Sequence, residues 1–174
     1  YIKKYNPEIE IDWIVEERYK ELLKFNPDIN KVHVINIKKA KQKKSFFLLI
    51  KELIRVRKFG TYDLVIDMQG LIKSAIISRL IPSTTTLGFE KSSIREQAAS
   101  IFYNKTFKCR YDKNIIERNI ALIAFALKID IKDINLQFKK SFLHPIENLK
   151  FESISNKKHN ILLILGASFE SKIY

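Results

Sequence analysis

The chain alternates between two hydrophobic periods. Residues 9–16, I-E-I-D-W-I-V-E, are apolar at every second position and then continuously, which predicts a strand entered from the Asn6-Pro7 turn. Residues 17–25 switch to helical spacing at Tyr19, Leu22 and Leu23. Asn26-Pro27 stops them, because proline drives its predecessor out of the α region. Residues 31–37 alternate again through Val32, Val34, Ile35 and Ile37. Positions 38–44 then carry five lysines in seven residues, read as a loop leaving the strand. Ser45 is placed to cap a helix over residues 46–59 that stops at Gly60.

Residues 62–68, Y-D-L-V-I-D-M, form a nearly all-apolar run of the kind buried in parallel sheets. Gln69-Gly70 turns it into an amphipathic helix over residues 71–80, closed by Ile81-Pro82. Residues 84–89 predict a short β-branched strand, and Ser92 or Ser93 a helix start for residues 95–102. Asp112 is expected to cap a helix over residues 113–128, with Ile116, Ile120, Ile123, Ala124 and Leu127 on one stripe. Residues 134–138 alternate weakly, 139–159 are charged and aperiodic, and 160–165 (N-I-L-L-I-L) predict a new buried strand ended by Gly166. Strands alternating with helices and no hairpin signal predict a doubly wound parallel α/β sheet. The composition break divides the chain into a domain at 1–138, a linker at 139–159 and the start of a second domain at 160–174.

Composition narrows the class. The 174 residues are 46% hydrophobic with 12 Phe, so dominant disorder is excluded, and the single cysteine, Cys109, rules out a disulfide scaffold. No apolar run approaches the roughly 20 residues of a membrane span. Residues 1–15 carry charge throughout and offer no cleavage site, so no signal peptide is expected and the chain reads as cytosolic and soluble. Residue 1 is Tyr and the sole Met is Met68, which reads as an internal piece of a longer protein.

Charge adds a partner class. Thirty-two Lys and Arg against 19 acids give a net charge of +13, a field that attracts phosphate-rich partners, whether nucleic acid, an anionic membrane surface or a phosphorylated glycolipid. Solvated surface lysine is the plainer alternative for much of it.

Four segments carry candidate chemistry. Asp67, Gln69, Gly70 and Lys73 surround a strand end and helix start, where open α/β sheets form their ligand crevice and helix N–H groups receive anions; a purely structural glycine turn competes. The spacing is not that of a Walker loop. Lys38, Lys39 and Lys41 in the lysine run suit phosphates or carboxylates, or are merely solvated. Ser92, Ser93 and Arg95 could grip an anion, while Ser93 with Glu96 also reads as a capping box. Ser168 and Lys172, after the last strand, could hold a diphosphate. His33, His144 and His159 lack ligand spacing, so no metal is expected. No nucleic-acid signature such as a helix-turn-helix, RNP or KH motif is present.

Three of these stretches together carry a resemblance: I-D-W-I-V-E-E at 11–17, Y-D-L-V-I-D-M-Q-G-L-I-K-S-A at 62–75 and S-S-I-R-E-Q-A-A-S-I-F-Y-N-K at 92–105. In order and spacing the chain resembles the amino-terminal domain of the lipopolysaccharide heptosyltransferases of glycosyltransferase family 9. The resemblance implies a GT-B architecture of two Rossmann-like domains, with the first strand and most of the second domain missing here. It implies metal-independent, inverting transfer of L-glycero-D-manno-heptose from ADP-heptose to the Kdo of Kdo-lipid A, with no cofactor beyond the donor substrate. Lys38, Lys39 and Lys41 then stand in the acceptor-facing loop, where the family carries arginine; Arg95 and Arg118 are acceptor residues, and Ser168 and Lys172 donor residues. The family's catalytic aspartate falls upstream of residue 1, which implies that this chain alone is inactive. Also implied are a monomer at the cytoplasmic face of the inner membrane, in contact with its anionic surface, and no nucleic-acid partner. A relative acting on a later core acceptor, and a basic anion-binding or nucleic-acid-binding module, are the competing readings.

Overall fold

The computed structural model describes residues 1–130. The expected strands at 134–138 and 160–165, the linker between them, Ser168 and Lys172 lie outside the described residues. After a single helical turn, α1 (Ile2–Tyr5), the first strand is β1 (Asp12–Glu16). A 3₁₀ turn (Glu17–Tyr19) and the short α2 (Lys20–Leu23) lead to β2 (Lys31–Ile35). The run from Asn26-Pro27 turns on the Asn26 side chain, whose Oδ1 accepts from Asp28 N at 2.9 Å.

The lysine run is helical rather than a loop: α3 (Ile37–Gln42) contains Lys38, Lys39 and Lys41. Two acids distant in sequence explain the difference. Glu52 Oε2 accepts from Asn36 N at 2.9 Å and Glu16 Oε1 from Lys38 N at 3.3 Å, placing carboxylates on the free N–H groups of the helix start. Lys44 then takes a left-handed conformation (φ 48°), and Ser45 caps α4 (Phe46–Val56) as expected, its Oγ accepting from Leu48 N at 3.3 Å.

The remaining elements are β3 (Tyr62–Ile66), α5 (Ile72–Leu80), β4 (Ser83–Phe89), 3₁₀ turns at Lys91–Ser93 and Gln97–Phe102, β5 (Lys105–Phe107) and α6 (Ile115–Leu127). Arg95 therefore sits between two 3₁₀ turns and not at the start of a helix. β5 is absent from the sequence pattern because only three residues pair. Asn114, not Asp112, caps α6, its Oδ1 accepting from Ile116 N at 2.8 Å.

The parallel α/β class holds, with the strands distributed over two sheets. β1 pairs β2 in register Trp13 with Val32 and Val15 with Val34. β4 lies between β3 and β5 in the second sheet, and all of these pairings are parallel. Parallel pairs need the long crossovers seen here. The sheets meet through side chains: Tyr62 Oη on β3 donates to Asp12 Oδ2 on β1 at 2.7 Å and lies 2.8 Å from His33 Nε2 on β2. With the tyrosine proton committed to Asp12, Nε2 is the donor of the second bond, which assigns the His33 tautomer from the network.

The core has two parts. Ile35 of β2, Val56 of α4, Ile77 of α5 and Ile81 form one cluster, with Ile14, Tyr62 and Val65 from the strands around them. A second cluster surrounds β4, where Thr86, Leu87, Gly88 and Phe89 are buried in succession, and includes Ala75, Ile94, Ala99, Tyr103 and Leu122. Gly88 is needed there: a Cβ would fall 2.3 Å from the Tyr103 ring. Asn104 extends the ladder past Tyr103, accepting from Thr86 N at 2.8 Å through its side chain while its own N–H donates to Thr86 O at 3.1 Å.

Candidate functional site

β3 ends at Ile66, and the next residue organises the turn that follows. Asp67 is buried, and both of its oxygens are used. Oδ1 accepts from the backbone N–H groups of Gln69 (2.8 Å) and Gly70 (3.3 Å). Oδ2 accepts from Ser74 Oγ (2.7 Å) and Tyr103 Oη (2.8 Å). Gly70 adopts φ 64°, and a Cβ there would meet Ile94 Cγ2 at 2.5 Å, so conformation and space both require glycine. Burial and the Asp67 carboxylate together push the Tyr103 phenol well above the ordinary tyrosine range.

The start of α5 is not an open anion site. Glu96 Oε2 accepts from Ile72 N at 2.8 Å, and Ser74 Oγ accepts from Leu71 N at 3.3 Å. Glu96 thus caps α5 across the fold instead of closing a box with Ser93. Ser93 is spent elsewhere: its Oγ donates to Cys109 O (2.8 Å) and accepts from Cys109 N (2.9 Å). This ties the 3₁₀ turn to the segment entering α6.

That tie shapes a cavity of about 300 Å³ at the carboxyl end of β3 and β4, lined by Gln69, Gly70, Phe89, Arg95, Tyr111 and Arg118 among others. It lies where open parallel sheets bind ligands. Arg118 projects from α6 and is only 8% exposed. Its guanidinium donates to Ser93 O and lies 5.0 Å from the Phe89 ring centroid and 5.1 Å from that of Tyr111. Its Nε has no hydrogen-bond partner, and among the described residues no carboxylate pairs with it. A cation that lines the cavity against two π faces and one carbonyl, with no carboxylate beside it among the described residues, leaves its charge available to an anion. Arg95 adds a second charge from the rim. Its side chain is 78% exposed, and its nearest acid, Glu96, is 3.8 Å away, a separation of little energetic weight in water.

The structure thus gathers Gln69, Gly70, Arg95 and Arg118 at one cavity, with Asp67 beneath as the residue that folds the turn. Lys73 is exposed on α5 and is not in the lining. Lys38 and Lys39 are exposed on α3, away from that lining, and Lys41 belongs to the same helix. Tyr111 is the polar lining residue that sequence reasoning missed, beside the apolar Leu71, Phe89, Ile94 and Ile115; an aromatic inside the charged stretch K-C-R-Y-D-K ahead of a helix was the available signal.

A parallel α/β domain with a basic cavity above its strand ends defines the Rossmann-like class. The family model for glycosyltransferase family 9 (heptosyltransferase) matches residues 49–174, and the chain belongs to that family. It is 37% identical, over 100% of its length and 51% of the relative's, to lipopolysaccharide heptosyltransferase 1 of Campylobacter coli. It is 35% identical to the protein of the same name from Pseudomonas aeruginosa, over 70% of this chain and 35% of that one. The structure matches E. coli heptosyltransferase WaaC with ADP-2-deoxy-2-fluoro heptose at a TM-score of 0.69 and 26% identity, covering 77% of this chain and 44% of that one. The chain thus spans about half, or less, of the length of these relatives, and its fold corresponds to the amino-terminal portion of the GT-B fold.

Proposed function

We propose that this chain is the acceptor-binding half of a heptosyltransferase that moves L-glycero-D-manno-heptose from ADP-heptose to the Kdo of Kdo-lipid A. The observation that carries this reading is the buried guanidinium of Arg118, with no carboxylate partner among the described residues, lining a cavity whose rim holds Arg95. A Kdo residue offers a carboxylate, and a planar guanidinium recognises a carboxylate through two parallel hydrogen bonds. Gln69 and Tyr111 supply neutral polar groups for sugar hydroxyls.

In such a transfer an acceptor hydroxyl attacks the anomeric carbon of the donor. A base takes the hydroxyl proton, and the bond to the ADP oxygen breaks with its electron pair. Among the described residues the acids beside the cavity are already committed: Asp67 accepts four hydrogen bonds and Glu96 caps α5. On this reading the base is the family's aspartate upstream of residue 1, and the 174 residues alone bind acceptor without turnover. Donor contacts from Ser168 and Lys172, metal-independent inversion, a monomeric state and a place at the cytoplasmic face of the inner membrane belong to the same proposal.

The test uses the chain extended at both ends to the length of its relatives, with the 174-residue chain beside it. Each is incubated with ADP-heptose and Kdo-lipid A without divalent metal, and the acceptor mass is read. One heptose added by the extended enzyme alone is the expected result. No addition by either protein overturns the proposal.

A further inference from the structure

The turn from α3 into α4 exposes large apolar side chains that the cavity does not use. Phe46 is 74% exposed and Phe47 76%, and Ile54 (54%) and Ile50 (39%) continue the outward face. Positions 46, 50 and 54 lie four residues apart and so form one ridge along the helix, with Phe47 and Lys51 beside it. The opposite face is anchored: Val56 is fully buried in the core, and Glu52 is held by Asn36 N and by Arg55.

Basic residues frame this ridge. Residues 37–58 contain nine Lys or Arg and a single acid, Glu52, a local net charge of +8 out of the chain's +13. Lys38, Lys39, Lys43, Lys44, Lys51 and Lys58 are all exposed. Among the described residues no helix is long and apolar enough to cross a membrane. A short helix with protruding phenylalanines on one side and lysines around them has the pattern of an interfacial helix, which lies in the plane of a bilayer. Its aromatic side chains enter the acyl boundary, while the lysine stems run along it and keep their ammonium groups among the phosphates.

We propose that the α3–α4 segment docks on an anionic phospholipid bilayer, with Phe46 and Phe47 inserted, Ile50 and Ile54 following, and the surrounding lysines bound to headgroup phosphates. Charge complementarity selects this occupant, and a protruding ridge suits a deformable surface better than a groove-shaped partner. The proposal rests on the membrane placement in the preceding reading and narrows it to one segment; its test uses neither transferase substrate, so its failure leaves the transfer reaction standing.

The 174-residue chain is sedimented with vesicles of phosphatidylethanolamine and phosphatidylglycerol, and separately with vesicles of phosphatidylcholine alone, at about 0.15 M salt. Binding to the anionic vesicles and little to the neutral ones is expected. The double variant Phe46→Ser/Phe47→Ser, which changes only exposed side chains, should lower the partition roughly tenfold or more, with circular dichroism unchanged. Lys43→Gln/Lys44→Gln should weaken binding and flatten its salt dependence. In a second measurement, Phe46→Trp in a Trp13→Phe background should shift its emission to the blue and be quenched by brominated lipid. Undiminished binding by the double serine variant, or an unquenched tryptophan at position 46, overturns the proposal. So does a dimer of the parent chain that is lost in the double serine variant without vesicle binding, which would assign the ridge to a second copy.

Discussion

The hydroxyl of Tyr103 donates to Asp67 Oδ2 at 2.8 Å across 36 positions of sequence. One carboxylate thereby joins the end of β3, the start of α5 and the segment that enters β5. Removing either partner strands buried groups. Tyr103→Phe is expected to lower unfolding stability by about 2 kcal/mol, and Asp67→Ala by about 3 kcal/mol or more, since the latter also frees the Gln69 and Gly70 N–H groups and the Ser74 hydroxyl. Urea unfolding of the two variants checks the order as well as the size.

The same contact sets an alkaline limit. Burial and a neighbouring carboxylate raise both the Tyr103 and the Tyr62 phenol above their ordinary value. The folded state therefore holds these protons more tightly than the unfolded chain. The stability they contribute is whole below about pH 10, where an unfolded tyrosine begins to ionise, and it is lost as the pH rises from there toward the folded-state values. The urea midpoint should fall as the pH passes about 10, and less steeply in Tyr103→Phe than in the parent. Equal slopes would show that Tyr103 does not contribute to the decline.

Two glycines test how closely the β4 layer is packed. Gly88→Ala places a methyl 2.3 Å from the Tyr103 ring, and Gly70→Ala places one 2.5 Å from Ile94 Cγ2 at a positive φ. Each should cost about 1–3 kcal/mol, and the Gly70 variant should in addition distort the turn that opens the cavity. Gly60→Ala is the control for positive φ without crowding, because its nearest neighbours lie at 3.5 Å.

On the proposed function, Arg118 and Arg95 separate acceptor from donor binding. In the extended enzyme, Arg95→Ala and Arg118→Lys should each raise the acceptor KM by about tenfold or more while leaving the donor KM near the parent value. Lysine keeps the charge of Arg118 but loses the plane that rests on Phe89 and Tyr111. Equal changes in both KM values would remove these residues from the acceptor site.

Much of this was legible one residue at a time. The alternation at Val32 and Val34, the apolar run of 62–66, the cap at Ser45 and the Gly70 turn are local patterns, and the elements form where the patterns stand. Burial of a continuous apolar strand in a parallel sheet follows from the run itself. The family motifs lie in the turns that such strands end in, and Gln69, Gly70 and Arg95, with Arg118 from the resemblance, all line the one cavity.

What sequence could not contain were the pairings made over distance. The lysines of α3 read as a loop because the run carries no apolar period, although Lys, Ala and Gln favour a helix; its start is fixed by carboxylates that Glu16 and Glu52 supply from other elements. Ser93 and Glu96 have the spacing of a capping box, yet each finds a buried or helix-terminal partner elsewhere, which satisfies more polar groups than bonding to each other would. The resemblance points to Arg118, but only packing reveals that it is buried against two rings with no carboxylate beside it among the described residues. The chain alone thus determined where backbone would be strand, helix or turn, because hydrophobic period and capping act within a few residues. Tertiary structure decided which polar groups would be free to meet a ligand, because that depends on which partners the fold brings within hydrogen-bond reach.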